Sequence, residues 1–309
     1  MERKPPLVTV VVPTYNHENY VVECIKSILE QDYPNMELIV INDGSTDSTD
    51  AKVRGLNALR PRPFTYISKK NEGVGKTMSL GLKTSRGEYF CEVCSDDVLL
   101  PGAVRKRVEY MEAHPEADAV FGRLNHMDKS GRPIAPAGRA KSMFRSDRHT
   151  FEDFLEGNAR ICFHAGMYRT SFLRGLGGFD EDFYTEDACM SYLIALRGRV
   201  SCLDEAVVNY RMHETNISKG RPLWMRREKM MALEKLSAFP ETGHVKRLIS
   251  KYLFTEYLKY VREGFKTAED RVSMATALDK ALKLRPYSFK AVYYKLRLKA
   301  GCSRVIPAF

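Results

Sequence analysis

The sequence GEYFCEVCSDDVLLPG, residues 87–102, carries a buried-strand pattern that runs into two adjacent carboxylates. A short apolar run ends at Ser95, Asp96 and Asp97, where the strand itself must end. Adjacent carboxylates repel each other unless a cation, a basic side chain or helix-end amides neutralise them. The stretch therefore predicts a site for a divalent metal with oxygen ligands, such as Mg²⁺ or Mn²⁺. The structural alternative is that one of these three residues only caps the helix that follows.

The sequence around this stretch alternates short β-branched runs with amphipathic helix patterns. Such alternation predicts an α/β fold, with a mainly parallel sheet flanked by helices and a ligand cleft at the carboxyl ends of the strands. Polar residues follow three predicted strands and should meet there. The predicted strands are 7–12, 36–41, 64–68, 88–94, 118–125, 163–168 and 200–210, and the main predicted helices are 19–31, 74–84, 101–113 and 188–196.

Composition indicates an ordinary globular protein. Of the 309 residues, 44% are hydrophobic and 28% are charged. No apolar run approaches the roughly 18 residues of a membrane span, and the N-terminus lacks a signal-peptide core, so we expect a cytoplasmic chain. The seven cysteines are irregularly spaced, which favours reduced thiols over a disulfide framework.

Charge divides the chain near residue 220. Residues 1–220 carry 29 Lys and Arg against 31 Asp and Glu, whereas residues 221–309 carry 20 against 8, a net charge of +12. We therefore expect two domains, 1–220 and a basic helical region 221–309, the latter facing an acidic partner. Apolar residues from Phe289 to Leu296 recur at helical spacing among lysines, which favours an anionic membrane surface over nucleic acid. The alternative is a helix packed on the rest of the chain with a solvated basic face.

Two short motifs have structural interpretations that compete with functional ones. Residues 73–77, GVGKT, match the end of a phosphate-binding P-loop, but Lys70 replaces its first glycine and Glu72 would bring negative charge to the anion. We therefore keep a nucleotide hydrolase only as an alternative. Cys91 and Cys94 form a CxxC without a second cysteine pair at zinc-site spacing, which favours packing cysteines.

Five spaced motifs, in order, resemble the inverting family 2 glycosyltransferases with the GT-A fold. The resemblance extends over residues 7–218. The motifs are VTVVVPTYNHENYVVECIKSILEQDYPNMELIVINDGSTDST (8–49), NEGVGKTMSLGLKTSRGEYF (71–90), SDDVLLPGA (95–103), GGFDEDFYTEDACMSYLIALRG (177–198) and NYRMHETNIS (209–218).

The resemblance implies a role for specific residues. Asp187 would be the catalytic base, with Glu186 binding or orienting the acceptor. Asp97, together with Asp96, and His213 would hold Mn²⁺ or Mg²⁺. The residues that would bind the nucleotide-diphosphate sugar, expected to be a UDP-sugar, are Pro13, Thr14, Tyr15, Asp43, Asp96 and Arg211.

The implied activity is metal-dependent, inverting transfer of a sugar to a hydroxyl of a saccharide or lipid-linked acceptor, in surface polysaccharide or glycolipid synthesis at the inner face of the membrane. Such transfer needs a cation for the departing diphosphate and a base for the acceptor hydroxyl. The sequence departs from the family pattern at Cys94, Asn42 and Ser79. A noncatalytic binding module of the same fold is therefore a further alternative.

Overall fold

The computed structural model describes residues 4–134, 151–156, 161–185, 187–217, 222–267 and 270–300. The chain divides into two compact units, Met1–Glu214 and Thr215–Phe309. The assignment of a catalytic domain to residues 1–220 and of a separate basic region to 221–309 stays a prediction.

The first unit is an α/β structure built on one sheet. Its described strands are β1 Val8–Thr14, β2 Met36–Asp43, β3 Thr65–Lys69, β4 Tyr89–Glu92, β5 Val98–Leu99, β6 Ala119–Asp128, β7 Pro133–Ile134, β8 Gly166–Arg169 and β9 Val200–Met212. Its described helices are α1 Val21–Leu29, α2 Thr49–Ala58, α3 Val74–Thr84, α4 Ala103–Ala113, α5 Phe151–Glu156, α6 Thr170–Gly175 and α7 Asp187–Arg197.

The strands lie in the order β3-β2-β1-β4-β8-β6-β9-β5, and β7 pairs with β6. The long ladders are parallel: β1 with β2 and β4, β2 with β3, and β6 with β9. The antiparallel pairs are short: β4 with β8, β6 with β8, β6 with β7, and β5 with β9. The prediction of a mainly parallel sheet flanked by helices is confirmed.

The sheet is buried on both faces because helices cover each side. Side chains alternate along β1, so Val10 packs in one apolar cluster and Val11 in the other. The first cluster includes Ile25 of α1, and the second includes Met78 of α3. Because a strand covered on both faces buries every side chain, its sequence is a nearly continuous apolar run, as in β1.

Most predicted boundaries shift by one to three residues in the structure, and two of these shifts bear on the site. The strand predicted over 163–168 begins later, because Phe163–Ala165 forms a single 3₁₀ turn before β8. The strand predicted over 88–94 ends as β4 at Glu92, so the residues that follow belong to a turn. The loop predicted over 132–146 lies outside the described residues from position 135 onward.

The second unit is helical, as predicted for the C-terminal region. Its described α-helices are α8 Pro222–Ser237, α9 Lys246–Thr267, α10 Arg271–Leu284 and α11 Phe289–Lys299. Asp270 caps α10 by accepting hydrogen bonds from the backbone N–H groups of Val272 and Ser273, at 3.2 and 2.9 Å. Pro286 separates α10 from α11, in line with the predicted break.

One buried carboxylate pairs with basic side chains of α8 and α9. Glu256 lies between Arg226, Lys229 and Lys259. Burial raises the pKa of Glu256, but these three cations outweigh burial and hold the pKa below its usual value. Across the described parts of the chain, every helix is too short or too polar to cross a membrane.

Candidate active site

The candidate site begins where β1, β2 and β4 end side by side. Thr14 at the end of β1 is in register with Asn42 near the end of β2. Because parallel strands end at one edge of the sheet, this edge collects the polar residues that follow them. Thr14 is buried, and its hydroxyl has no hydrogen-bond partner among the described residues. Pro13 precedes it in β1, and Tyr15 beyond the strand is 41% exposed.

Asp96 lies between two histidines. Its Oδ2 atom is 2.8 Å from Nε2 of His213, and its Oδ1 atom is 4.0 Å from Nδ1 of His17. Burial raises the pKa of the Asp96 carboxyl, but the His213 hydrogen bond and His17 outweigh burial and hold the pKa below its usual value. Burial also lowers the pKa of His17, which favours a neutral imidazole. These three side chains form a group whose ligand atoms lie within 4.8 Å of one another.

Asp97 is fully buried and faces other partners. Its Oδ1 atom accepts a hydrogen bond from the backbone N–H of Arg211 at 2.8 Å. Its Oδ2 atom accepts none from the described residues and lies 3.8 Å from Nε2 of His164. Burial raises the pKa of Asp97 well above its usual value, and the neighbouring charge of Asp96 adds to the effect. A buried carboxylate oxygen that accepts no hydrogen bond is costly, and a proton or a cation bound to it would remove that cost.

Arg211 holds the turn that carries these two acids. Its guanidinium donates hydrogen bonds to the backbone oxygen of Asp96 at 2.8 Å and to Glu23 at 2.6 Å. It also lies 4.9 Å above the ring of Tyr20, which stacks on His213. In the structure the buried guanidinium of Arg211 positions the backbone of Asp96. Its role at the diphosphate stays a prediction.

The alternative that Ser95, Asp96 or Asp97 only caps the following helix is wrong, since Gly102 is the N-cap of α4.

Asp43 at the end of β2 binds the turn between β3 and α3. It accepts hydrogen bonds from the backbone N–H groups of Glu72 and Gly73, at 3.0 and 2.9 Å, and pairs with Lys69. These amides would have to face phosphate in a P-loop, so the GVGKT motif has a structural role here. The role of Asp43 at the nucleotide stays a prediction.

Asp187 begins α7 and is exposed. Its role as the catalytic base stays a prediction. Glu186 lies outside the described residues. The segment before them rests on the start of α3, where the N–H of Gly75 donates to the oxygen of Tyr184 at 2.9 Å. Burial raises the pKa of the Cys162 thiol, and the charges of Asp97 and Asp187 raise it further.

Sequence reasoning missed three residues of this site. His17 and Tyr20 stand in and just after the loop that follows β1, so a search of every strand-end loop for aromatic and imidazole side chains would have found them. His164 precedes β8 in the 3₁₀ turn, and no local pattern marks it. Burial lowers the pKa of His164 to about 4, which leaves a neutral imidazole beside Asp97.

The comparisons with known proteins agree with this geometry. The sequence model of the family described as Glycosyl transferase family 2 matches residues 9–176. The chain belongs to glycosyltransferase family 2. It is 30% identical over 223 residues to an uncharacterized glycosyltransferase of Haemophilus influenzae, a match that covers 69% of this chain and 68% of that protein. It is 29% identical over 179 residues to chondroitin synthase of Escherichia coli, covering 58% of this chain and 25% of the synthase. Family membership makes the chain a nucleotide-sugar glycosyltransferase.

Solved structures share the fold of the family 2 chain. Residues 1–349 of TarS from S. aureus, in complex with UDP-GlcNAc, match with a TM-score of 0.67 at 19% identity, over 95% of this chain and 90% of that one. The mannosyltransferase PcManGT from Pyrobaculum calidifontis, in complex with GDP-Man and Mn²⁺, matches with a TM-score of 0.61 at 19% identity, over 96% and 80%. The expected GT-A fold is confirmed. At this identity, the likeness concerns the fold alone.

Proposed function

We propose that the first unit is a metal-dependent, inverting glycosyltransferase that moves a sugar from a UDP-sugar to a hydroxyl of a saccharide or lipid-linked acceptor. The observation that carries this proposal is the group formed by His17, Asp96 and His213, at the sheet edge where the buried hydroxyl of Thr14 has no hydrogen-bond partner among the described residues. The relatives named above support a nucleotide-sugar donor, and the E. coli chondroitin synthase supports a role in surface polysaccharide or glycolipid synthesis.

The residues present fit a divalent cation. The resemblance to the family assigned the metal to Asp97, together with Asp96, and to His213, and that assignment stays a prediction. In the structure His213 contacts Asp96, so we assign Asp96 and His213 as the pair that would hold the ion. One carboxylate with imidazole favours Mn²⁺ over Mg²⁺, because Mg²⁺ prefers oxygen ligands alone. When bound, the cation would neutralise charge on the departing diphosphate.

The other proposed roles belong to residues of the chain. Pro13, Thr14 and Tyr15 would contact the nucleotide, with the half-exposed Tyr15 ring available for stacking on the base. Asp187 would take the proton of the acceptor hydroxyl on its carboxylate, and Glu186 would orient the acceptor. Inversion needs only one such base, on the face of the sugar opposite the leaving diphosphate.

Two experiments test this function. The first identifies the donor sugar nucleotide, and the second replaces the proposed base. Thermal shift with UDP-, GDP- and dTDP-sugars, with and without Mn²⁺, selects the donor for turnover assays. Asp187→Asn should lower transfer by roughly two to four orders of magnitude while donor affinity stays unchanged. Asp182→Asn is the matched control, because Asp182 is an exposed acid of the same segment.

Two outcomes would contradict this assignment. Equal turnover of Asp187→Asn and Asp182→Asn would exclude Asp187 as the catalytic base. A loss of turnover in Glu186→Gln without a loss in Asp187→Asn would assign the role of base to Glu186 instead. Failure of every nucleotide sugar to stabilise the protein would instead support a noncatalytic module.

We further propose that α11 docks on an anionic membrane surface. Phe289, Val292, Tyr293 and Leu296 form an exposed apolar stripe along this helix, and the Phe289 side chain is 93% exposed. Lys290 and Lys299 on the same helix are exposed, and residues 221–309 carry a net charge of +12. Apolar residues flanked by exposed cations are typical of helices that lie in the membrane interface.

Co-sedimentation with liposomes tests the membrane proposal. The chain should bind anionic vesicles and leave neutral ones unbound at the same lipid concentration. Replacing Phe289 and Leu296 with Ser should weaken binding, whereas Val272→Ser, at an exposed apolar position of α10, should have no effect. Equal binding to both vesicle types, or none to either, would refute the proposal.

A further inference from the structure

We propose that Cys94, Asp97 and His164 form a second metal site, separate from the Asp96–His213 pair, and that this site takes Zn²⁺. The three side chains offer a sulfur, a carboxylate oxygen and an imidazole nitrogen that all lie within 4.8 Å of one another. The inference concerns metal binding and does not depend on the proposed transfer reaction.

The spacing of these atoms suits a tetrahedral ion. Zinc binds sulfur at about 2.3 Å and nitrogen or oxygen at about 2.0–2.2 Å, so neighbouring ligands of a tetrahedral site lie roughly 3.3–3.8 Å apart. Nε2 of His164 and Oδ2 of Asp97 are 3.8 Å apart in the structure. A small movement of the side chains is therefore enough to close the site around an ion.

A second observation points to a ligand at this place. Oδ2 of Asp97 is fully buried, accepts no hydrogen bond from the described residues, and is the oxygen nearest to His164. The other oxygen of Asp97 is held by the backbone N–H of Arg211, so the carboxylate cannot turn away without losing that bond. A cation at this oxygen would remove the cost of leaving it unpaired.

The donor set separates this site from the Asp96–His213 pair. A thiolate ligand favours Zn²⁺, whereas the Asp96–His213 pair offers only a carboxylate and an imidazole, which also suit Mn²⁺. Sγ of Cys162 lies 3.1 Å from Nε2 of His164, but Cys162 is not part of the group whose ligand atoms all lie within 4.8 Å of one another. Cys94 is one of the positions at which the sequence departs from the family pattern, and its thiol provides the sulfur ligand.

Zinc at this site would join segments that are distant in the sequence. Cys94 and Asp97 lie in the turn after β4, His164 lies in the turn before β8, and the backbone of Arg211 in β9 already binds Asp97. An ion that binds only the folded arrangement stabilises it by RT ln(1 + L/Kd), where L is the free ion concentration. The folded first unit should therefore gain thermal stability when Zn²⁺ is added.

Cobalt and zinc titrations of the metal-free full chain, in excess Mg²⁺, test the proposal. Co²⁺ serves as the probe, because a cobalt–thiolate bond produces a charge-transfer band and a tetrahedral ion produces intense d–d bands. The wild type should show both signals, and Zn²⁺ should displace them. Cys94→Ser should abolish the thiolate band and weaken Zn²⁺ binding by at least ~100-fold. Cys202→Ser, a thiol of β9 outside the cluster, is the matched control.

The outcomes separate this site from the proposed cation at Asp96. Asp96→Asn should retain the thiolate band, and His164→Gln should lose the tetrahedral signal while circular dichroism remains that of the folded protein. Absence of a thiolate band in the wild type, or an unchanged band in Cys94→Ser, would overturn the proposal. Because the readout involves no donor sugar, failure of the transferase proposal leaves this result unaffected.

Discussion

Gly75→Ala should impair catalysis through the segment that leads to Asp187. An added Cβ at position 75 would lie well under 3.0 Å from the backbone oxygen of Phe183, whereas ordinary contact begins at 3.4 Å. Both elements are backbone, so no side-chain rotation relieves the clash. The segment before α7 must then move by roughly 1 Å, and a misplacement of that size costs about 100-fold in rate, or about 2.7 kcal/mol in the activation barrier.

Steady-state turnover and donor affinity, measured side by side, check this reasoning. Gly75→Ala should lower turnover while donor affinity stays unchanged, because the nucleotide and metal contacts lie at the strand ends. Gly55→Ala is the matched control, since an added Cβ there meets no atom within 4 Å and the residue also lies in a helix, α2. Helix propensity alone would stabilise both variants by about 1 kcal/mol. Equal turnover of the two variants would refute the argument.

Two further predictions concern charges in the two units. Asp96→Asn should weaken Mn²⁺-dependent nucleotide binding by at least ~100-fold in calorimetry, because it removes the charge of the proposed ligand beside His213, and an unchanged affinity would exclude Asp96 as a ligand. Glu256→Gln should lower the free energy of unfolding by about 1–2 kcal/mol at neutral pH, because it removes the buried carboxylate that pairs with the partly exposed cations Arg226, Lys229 and Lys259. Because the pKa of Glu256 is lowered in the folded state, its contribution is present above the usual value of 4.5 and is lost as the pH falls further. Unfolding followed by the fluorescence of Trp224, the one tryptophan of the chain, should therefore show less acid sensitivity in the variant, and equal sensitivity would contradict the prediction.

Much of the architecture follows from local patterns in the sequence. The continuous apolar run of β1 and the spacing of apolar residues in α3 are local features, and each predicted the element that the structure contains. The position of Asp187 at the start of a helix follows from the same kind of signal. These predictions succeed because hydrophobic periodicity and capping depend on residues only a few positions apart.

The sequence by itself also indicated that Asp96 and Asp97 lie at a strand end, but only the tertiary structure decided what each one contacts. His213 is 117 positions from Asp96 and His164 is 67 positions from Asp97, and no local spacing couples residues so far apart. Pairing of β4 with β8 and of β5 with β9 brings these segments together. Adjacent side chains point in different directions, so two neighbouring acids of the same type acquire separate environments: a histidine pair around Asp96, and a thiol with an imidazole around Asp97.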